Sequence, residues 1–414
     1  MYSFYSEYHI RGEKTIFDAE GNIQIKLGER EFIMKFKGYS DEILLGQLKG
    51  RFQVVYRIRG EEKEALETAK NICVEQTVEF PAAHIECDAI QKQIIGRIEE
   101  FSPCRDGYTA VISYSDQCAT EEFSQFLNVV FGNSSLLPGI TVMEIRLSAE
   151  QMEWFTGPKY GVEGMRKRLG VPERPLSFTA LKPMGLPTEA LAEEAYLCAL
   201  GGVDLVKDDH GLMNQTFSDY KDRVRTVCEA IRRGNEESGS HTAYIPNLSG
   251  RTVSIMDRIR FAEECGAGGI MLSPGLVGYD MMQYAAAHTA LPVIAHPAMA
   301  GCLLDKGSGG FDCGCVLGQL PRICGADFTV FPNFGGRFSL SEAQCRSIAK
   351  RCEEPYGKMP AIFPCPAGGM TFEKLDTMKA FYGTDVALLM GGGLFTVTPD
   401  LVSNCRTFVK KLAE

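Results

Sequence analysis

The run Val203-Asp204-Leu205-Val206-Lys207-Asp208-Asp209-His210-Gly211 places four ionisable side chains directly after a short apolar stretch containing β-branched residues. That stretch reads as a strand, interrupted only by Asp204. Side chains on a strand alternate between faces, so Lys207 and Asp209 share one. Gly211 lets the chain turn and bring His210 alongside. An amine, a carboxylate and an imidazole then converge at the carboxyl end of a strand, a set able to exchange protons near neutral pH. The plainer reading is a solvated charged turn, and the rest of the chain decides between the two.

Those residues need a scaffold, and from about residue 146 the sequence alternates strand, loop and helix. Candidate strands are Leu176–Leu181, Val203–Lys207, Thr242–Pro246, Gly269–Leu272, Pro292–Ala295, Asp327–Phe331, Ala361–Phe363 and Val386–Leu389. Helical stretches lie between them, among them Glu189–Ala199, Tyr220–Arg233, Ile255–Cys265, Ser341–Arg351 and Phe372–Phe381, and the fourth and fifth gaps are the least regular. Eight βα units in about 270 residues match a (β/α)8 barrel, with an open doubly wound sheet as the alternative. The expected architecture is α/β: a smaller N-terminal α+β domain over 1–145 and a C-terminal barrel over 146–414. In the first part, Phe52, Val54, Tyr56 and Ile58 alternate as in a strand, Glu61–Thr77 has helical spacing, Tyr108–Tyr114 is strand-like, and the helix Glu121–Val130 ends at the C-cap signal Gly132-Asn133. Trp154, the single tryptophan, reads as packing between the two parts.

In a barrel, residues just beyond strand carboxyl ends face the active site. Here those positions carry Lys182, then Lys207, Asp209 and His210, then Asn247, then His296, then Asn333-Phe334-Gly335-Gly336-Arg337. The seventh and eighth strands are followed by Gly368-Gly369 and Gly391-Gly392-Gly393. Glycines there let backbone N–H groups approach an anion, and a following helix N-terminus adds positive potential, so these two turns are expected to bind phosphate.

The chain has 414 residues, 45% of them hydrophobic and 23% charged, in keeping with a globular enzyme of more than one domain. A net charge of −10 argues against a general nucleic-acid binder. No apolar run approaches the ~18 residues that span a bilayer, and the first residues lack the basic-then-apolar order of a signal peptide, so the expected compartment is the cytoplasm. The 15 cysteines form no CxxC pair, even where they are densest at Cys302, Cys313 and Cys315, and read as reduced, mostly buried thiols.

These strand-end motifs resemble the RuBisCO large-chain superfamily, and within it the RuBisCO-like proteins that do not fix carbon dioxide. GGVDLVKDDH is similar to the family's GGxDFxKDDE, FTALKPMGL to TIKPKLGL with one residue fewer, and HPAM at 296–299 to HRAM; PAGGM and MGGGL resemble its SGGI and FGGG phosphate loops. The resemblance implies that Lys207 takes up CO2 as a carbamate, which together with Asp209 and His210 holds a divalent metal: Mg2+, with Mn2+ or Co2+ as alternatives. It makes Lys182 the proton-handling lysine and places His296 beside the substrate. It has Gly368, Gly369, Gly391, Gly392 and Gly393 bind phosphate, and Asn133 reach the substrate from the partner of a homodimer with shared active sites; Asn247 and Arg337, from their places after the third and sixth strands, are expected to contact substrate as well.

Three departures bear on the reaction. His210 replaces the family's glutamate, and its imidazole suits zinc, manganese, iron or cobalt better than magnesium; alternatively His210 is a general acid or base. The second lysine of the TIKPK segment is absent, with Met184 or Gly185 near its place. The loop after the sixth strand reads Gly335-Gly336-Arg337-Phe338 in place of GKLEG, without the lysine that steadies an added carboxylate. Carboxylation is therefore not expected. The resemblance points to metal-dependent enolisation of a phosphorylated small molecule: isomerisation or tautomerisation of 5-methylthioribulose 1-phosphate or a similar ketose, with decarboxylation of a phosphorylated 3-oxo sugar acid, the diketo-methylthiopentyl phosphate enolase reaction and a ligand-sensing barrel as alternatives.

Overall fold

The structure, a computed structural model, describes residues 50–414 other than 86, 88, 337 and 339, together with the backbone of three earlier strands. Those are β1 (Thr15–Phe17), β2 (Asn22–Leu27) and β3 (Arg30–Lys35), paired antiparallel. A second sheet uses β4 (Arg51–Ile58), β5 (Arg97–Cys104), β6 (Gly107–Ser115) and β7 (Ile140–Arg146). The barrel strands begin with β8 (Leu176–Ala180), β9 (Leu205–Lys207), β10 (Ala243–Ile245), β11 (Ile270–Leu272) and β12 (Val293–Ala295). After the short β13 (Gly310–Phe311) come β14 (Phe328–Pro332), β15 (Phe363–Ala367) and β16 (Ala387–Leu389).

In the smaller domain the alternation of β4 does what its pattern predicts: Phe52, Val54, Tyr56 and Ile58 enter the core. The helix Glu62–Glu75 lays Ala65, Ala69, Ile72 and Cys73 against it. Gly132 ends the helix Phe123–Phe131 for a different reason from the one its sequence suggests. Its φ is −70°, not left-handed, but a Cβ there would lie 2.5 Å from the Asn128 carbonyl oxygen. Close approach, rather than αL geometry, requires glycine. Trp154 packs beside Phe155 with ring centroids 6.5 Å apart.

The eight barrel strands run parallel in the order β10-β9-β8-β16-β15-β14-β12-β11. A bridge between Asn247 and Met271, with Leu248 N donating to Met271 O at 2.9 Å, joins the two ends. Alternate residues fill the interior: Leu176 and Phe178, Leu205, Ile245, Met271, Ile294, Phe328 and Val330, Phe363 and Cys365, Leu389. Val162, Met165 and Leu169 of the helix Gly161–Leu169 join the same cluster. The seventh strand lies later than its apolar signal, at Phe363–Ala367, and contains Pro364 and Pro366. Phe363 N donates to Asp327 O on the β14 side, so positions 364 and 366 turn the other way, where proline offers no N–H. Correspondingly β15 registers with β14 over five residues and with β16 only at Ala367–Leu389.

The irregular fifth connection ties barrel to sheet. Its β13 pairs with β7. Asp305, just before it, accepts hydrogen bonds from Arg57 at 2.7 Å, Arg59 at 2.9 Å and the Thr141 hydroxyl at 2.8 Å. All fifteen cysteines are free, and Cys302 alone is exposed. Among the described residues no helix is long and apolar enough to cross a membrane.

Candidate active site

The barrel interior ends in a cavity of about 710 Å³ at the carboxyl ends of the strands. The inward alternation continues straight into its floor. Lys207 stands two residues beyond Leu205, Ala180 two beyond Phe178, Ala367 two beyond Cys365 and Gly391 two beyond Leu389. Lys182, Lys207, Asp209, His210 and His296 gather on one side. The five glycines Gly368, Gly369, Gly391, Gly392 and Gly393 also line the wall, and a Cβ on Gly391 would lie 3.4 Å from Lys182 Cε.

Lys207 is buried, and its ammonium donates to the Asp208 carbonyl at 3.0 Å. Burial pushes its amine down to about 8; the Asp209 carboxylate opposes that shift and Lys182 adds to it. Burial alone would raise the Asp209 carboxyl. Hydrogen bonds from His210 and Lys182, with the charge of Lys207, outweigh it and hold Asp209 well below the usual carboxylate range. Lys182 is ion-paired to Asp209 Oδ1, and His210 Nδ1 lies 3.4 Å from Oδ2. The rings of His210 and His296 stack at 4.8 Å, inclined by 7°. Burial, then the charges of Lys207 and His210, push His296 down to about 2, so its ring is neutral at neutral pH. Ala298 N donates to His296 Nδ1 at 3.2 Å, which leaves Nε2 as the N–H donor.

Asp208 points the other way, as alternation requires. It is 0% exposed and accepts from Arg223 Nε at 3.2 Å, the Tyr244 hydroxyl at 2.7 Å and Asn247 N at 3.0 Å. Asn247 departs from expectation. It is fully buried and absent from the cavity wall; its amide donates to the carbonyls of His210 at 2.9 Å and Leu212 at 3.0 Å. It shapes the loop carrying His210 rather than offering a contact to a ligand. Asn133 donates to Glu75 at 3.0 Å and Glu79 at 3.3 Å and does not line its own chain's cavity. Arg337 lies outside the described residues.

The glycine turns differ from each other. Gly368 and Gly369 have φ of +84° and +70°, which side chains resist. In the eighth turn, a Cβ on Gly393 would lie 2.5 Å from Met370 O, so glycine lets the two turns pack together. The helix after it, Gly392–Phe395, has only four residues, so backbone amides rather than a helix dipole must supply the attraction for an anion.

Two features carried no sequence signal. Leu304, Leu317, Phe331, Phe338, Leu340 and Met370 form an apolar wall, drawn from several separate loops and strands. Glu194, on the helix Thr188–Leu200, accepts from Lys182 N at 3.2 Å, and burial pushes its carboxyl up to about 7. A carboxyl raised on folding favours the folded state least once the pH has risen from its unfolded value, about 4.3, through about 7. Glu194→Gln keeps the acceptor without the charge. Its denaturation midpoint should therefore gain on the wild type between pH 5 and pH 8, and urea unfolding at the two values checks this.

The metal implied by the sequence resemblance can be tested against these donors. Asp209 is ionised, the His210 imidazole is beside it, and the buried Lys207 amine is adjacent. Among the described residues no group of three or more His, Cys, Asp and Glu side chains is placed to hold an ion. A divalent cation therefore fits if Lys207 supplies the third donor as a carbamate. The oxygen and imidazole donors suit a borderline cation as well as magnesium.

Residues 161–400 match the family described as ribulose bisphosphate carboxylase large chain, catalytic domain. The chain is 36% identical over 365 residues to ribulose bisphosphate carboxylase-like protein 1 of Rhodopseudomonas palustris, covering 88% of this chain and 98% of that one. It is 33% identical to the 5-methylthioribulose-1-phosphate isomerase of Rhodospirillum rubrum, over 88% of this chain and 96% of the relative. The crystal structure of a RuBisCO-like protein from Rhodopseudomonas palustris superposes with a TM-score of 0.79 at 36% identity, covering 88% of this chain and 98% of that one. By the family match over most of its barrel, by these identities and by the shared fold, the chain belongs to the RuBisCO large-chain family, among its RuBisCO-like, non-carboxylating members.

Proposed function

We propose that this protein is an isomerase that enolises a phosphorylated ketose with an apolar far end, of the 5-methylthioribulose 1-phosphate type. The observation that carries this reading is the make-up of the cavity: a cluster of proton-handling groups, paired glycine turns, and the apolar side chains Leu304, Leu317, Phe338 and Leu340. Among the described lining residues the lysines are Lys182 and Lys207, both within the ionisable cluster. Pro297 stands where the resembling HRAM motif has arginine. A substrate with one phosphate and one uncharged end suits such walls better than a bisphosphate does.

The residues divide the work as follows. Amides of the two glycine turns bind the phosphate. His296, a neutral ring with Nε2–H free, donates to a substrate oxygen. Asp209, His210 and a carbamate on Lys207 would hold a divalent cation, which would supply Lewis-acid polarisation of the carbonyl. Lys182 carries the proton from the carbon next to the carbonyl to the carbonyl carbon itself, while the hydroxyl proton passes to the old carbonyl oxygen. Glu194 and Asp209 fix that lysine from its backbone and its tip. A homodimer completes the site in this reading: Asn133 reaches the barrel mouth of a second copy, and the adjoining Leu136, 84% exposed, gives that face an apolar contact.

Proton NMR in D2O tests the reading. With 5-methylthioribulose 1-phosphate, bicarbonate and Mg2+, Mn2+ or Co2+, deuterium should enter the ketose without release of CO2. Stoichiometric CO2 from a phosphorylated 3-oxo sugar acid, with no exchange into the ketose, would replace isomerisation by decarboxylation. No exchange under any of these conditions would leave the barrel a sensor.

A further inference from the structure

We propose that Lys374 is a positioning residue for the phosphate site, locking the loop after β14 to the glycine turn after β15. This rests on the reading that the Gly368–Gly369 turn takes a phosphate group. The Lys374 ammonium, on the turn Phe372–Lys374, donates to the carbonyls of Gly335 and Gly369, both at 3.0 Å. Gly335 belongs to the loop after the sixth barrel strand and Gly369 to the turn after the seventh.

The consequence follows from peptide geometry. A trans peptide is planar, and its N–H points opposite to its C=O. Holding the Gly369 carbonyl therefore fixes the Met370 N–H, and holding the Gly335 carbonyl fixes the Gly336 N–H, each directed away from the ammonium. The turn needs such a hold. Gly368, Gly369 and Gly335 all have positive φ, at +84°, +70° and +64°, and glycine is the residue whose backbone is least restrained. A charged donor also polarises the peptides it binds and strengthens their N–H groups as donors. The two loops touch at a second place: a Cβ on Gly336 would lie 2.4 Å from the Gly368 carbonyl oxygen. The Phe338 ring lies 3.6 Å from the Cβ position of Gly368, so the apolar wall and the anion-binding turn meet at this seam. Lys374 thus couples the amides that take the phosphate to the loop that supplies the apolar wall, without itself lining the cavity.

The test is calorimetric titration of the full-length protein with inorganic phosphate, in wild type, Lys374→Met, Lys374→Arg and Lys379→Met. Lys379 is the control for charge: its ammonium donates to the Lys411 carbonyl and pairs with Asp376, away from both loops. Lys374→Met should weaken phosphate at least tenfold, Lys374→Arg less than threefold because a guanidinium can serve two carbonyls, and Lys379→Met less than twofold. Equal weakening in Lys374→Met and Lys379→Met reduces the effect to long-range charge and overturns the proposal. So does wild-type affinity in Lys374→Met. Wild-type protein that does not bind phosphate overturns the phosphate reading of the turn, and the role of Lys374 with it.

Discussion

Lys207→Met should lower deuterium exchange into the ketose by at least roughly a thousandfold, an effect of the size seen when a group acting in the transition state is removed. It should also erase the carbamate signal that 13C-bicarbonate and a divalent cation are expected to give the wild type. Methionine keeps most of the buried chain's volume, so the fold should survive and the loss belong to the amine. The reason for expecting so much from one atom is its setting. Burial on the barrel floor brings this amine to about 8, so about a tenth is neutral at pH 7 and able to attack CO2, whereas an exposed lysine near 10.4 stays almost wholly protonated. Asp209 and His210 alone are too few donors for a cation, so losing the carbamate should remove the ion as well. Lys182→Met separates the roles: it should abolish exchange yet retain the carbamate signal. Exchange within tenfold of wild type in Lys207→Met would end the carbamate assignment.

Much of this site could be read from residue order because a parallel barrel simplifies its own pattern. Its strands are short, apolar and followed directly by functional residues, and the period of two carries inward-facing positions from core to cavity. Leu205, Lys207 and Asp209 show it. The same period assigns Asp208 to the outer face, where it meets Arg223. The rule fails where the chain leaves the strand. Asn247 follows Ile245 by two residues, yet beyond the strand its amide holds the next loop instead of the cavity. The seventh strand extends past its apolar run because Pro364 and Pro366, which contradict a central strand, are accepted by thinning the pairing with β16. The apolar wall had no period to reveal it, since Leu304, Leu317, Phe338 and Leu340 come from distant loops that only tertiary folding joins.

The pair behind the site should matter most to stability. Arg223 and Asp208 are both 0% exposed, and the guanidinium donates further to the carbonyls of Ser218 at 3.0 Å and Met213 at 2.8 Å. Arg223→Met should therefore cost about 3–5 kcal/mol, the usual consequence of leaving one partner of a buried ion pair uncompensated. Tyr244 and Asn247 N still donate to Asp208, but neither carries a charge. The burden then falls on the residues flanking Asp208 in the chain. Lys207 and Asp209 are held in register by that carboxylate, so the variant should lose metal affinity as well as stability. Asp208→Asn in the Arg223→Met background removes the stranded charge and should recover part of the folding energy. Urea denaturation of the three variants with wild type measures both effects. A loss below about 1 kcal/mol for Arg223→Met, the range of an exposed pair, would show that water reaches Asp208 and that the strand end is held by other contacts.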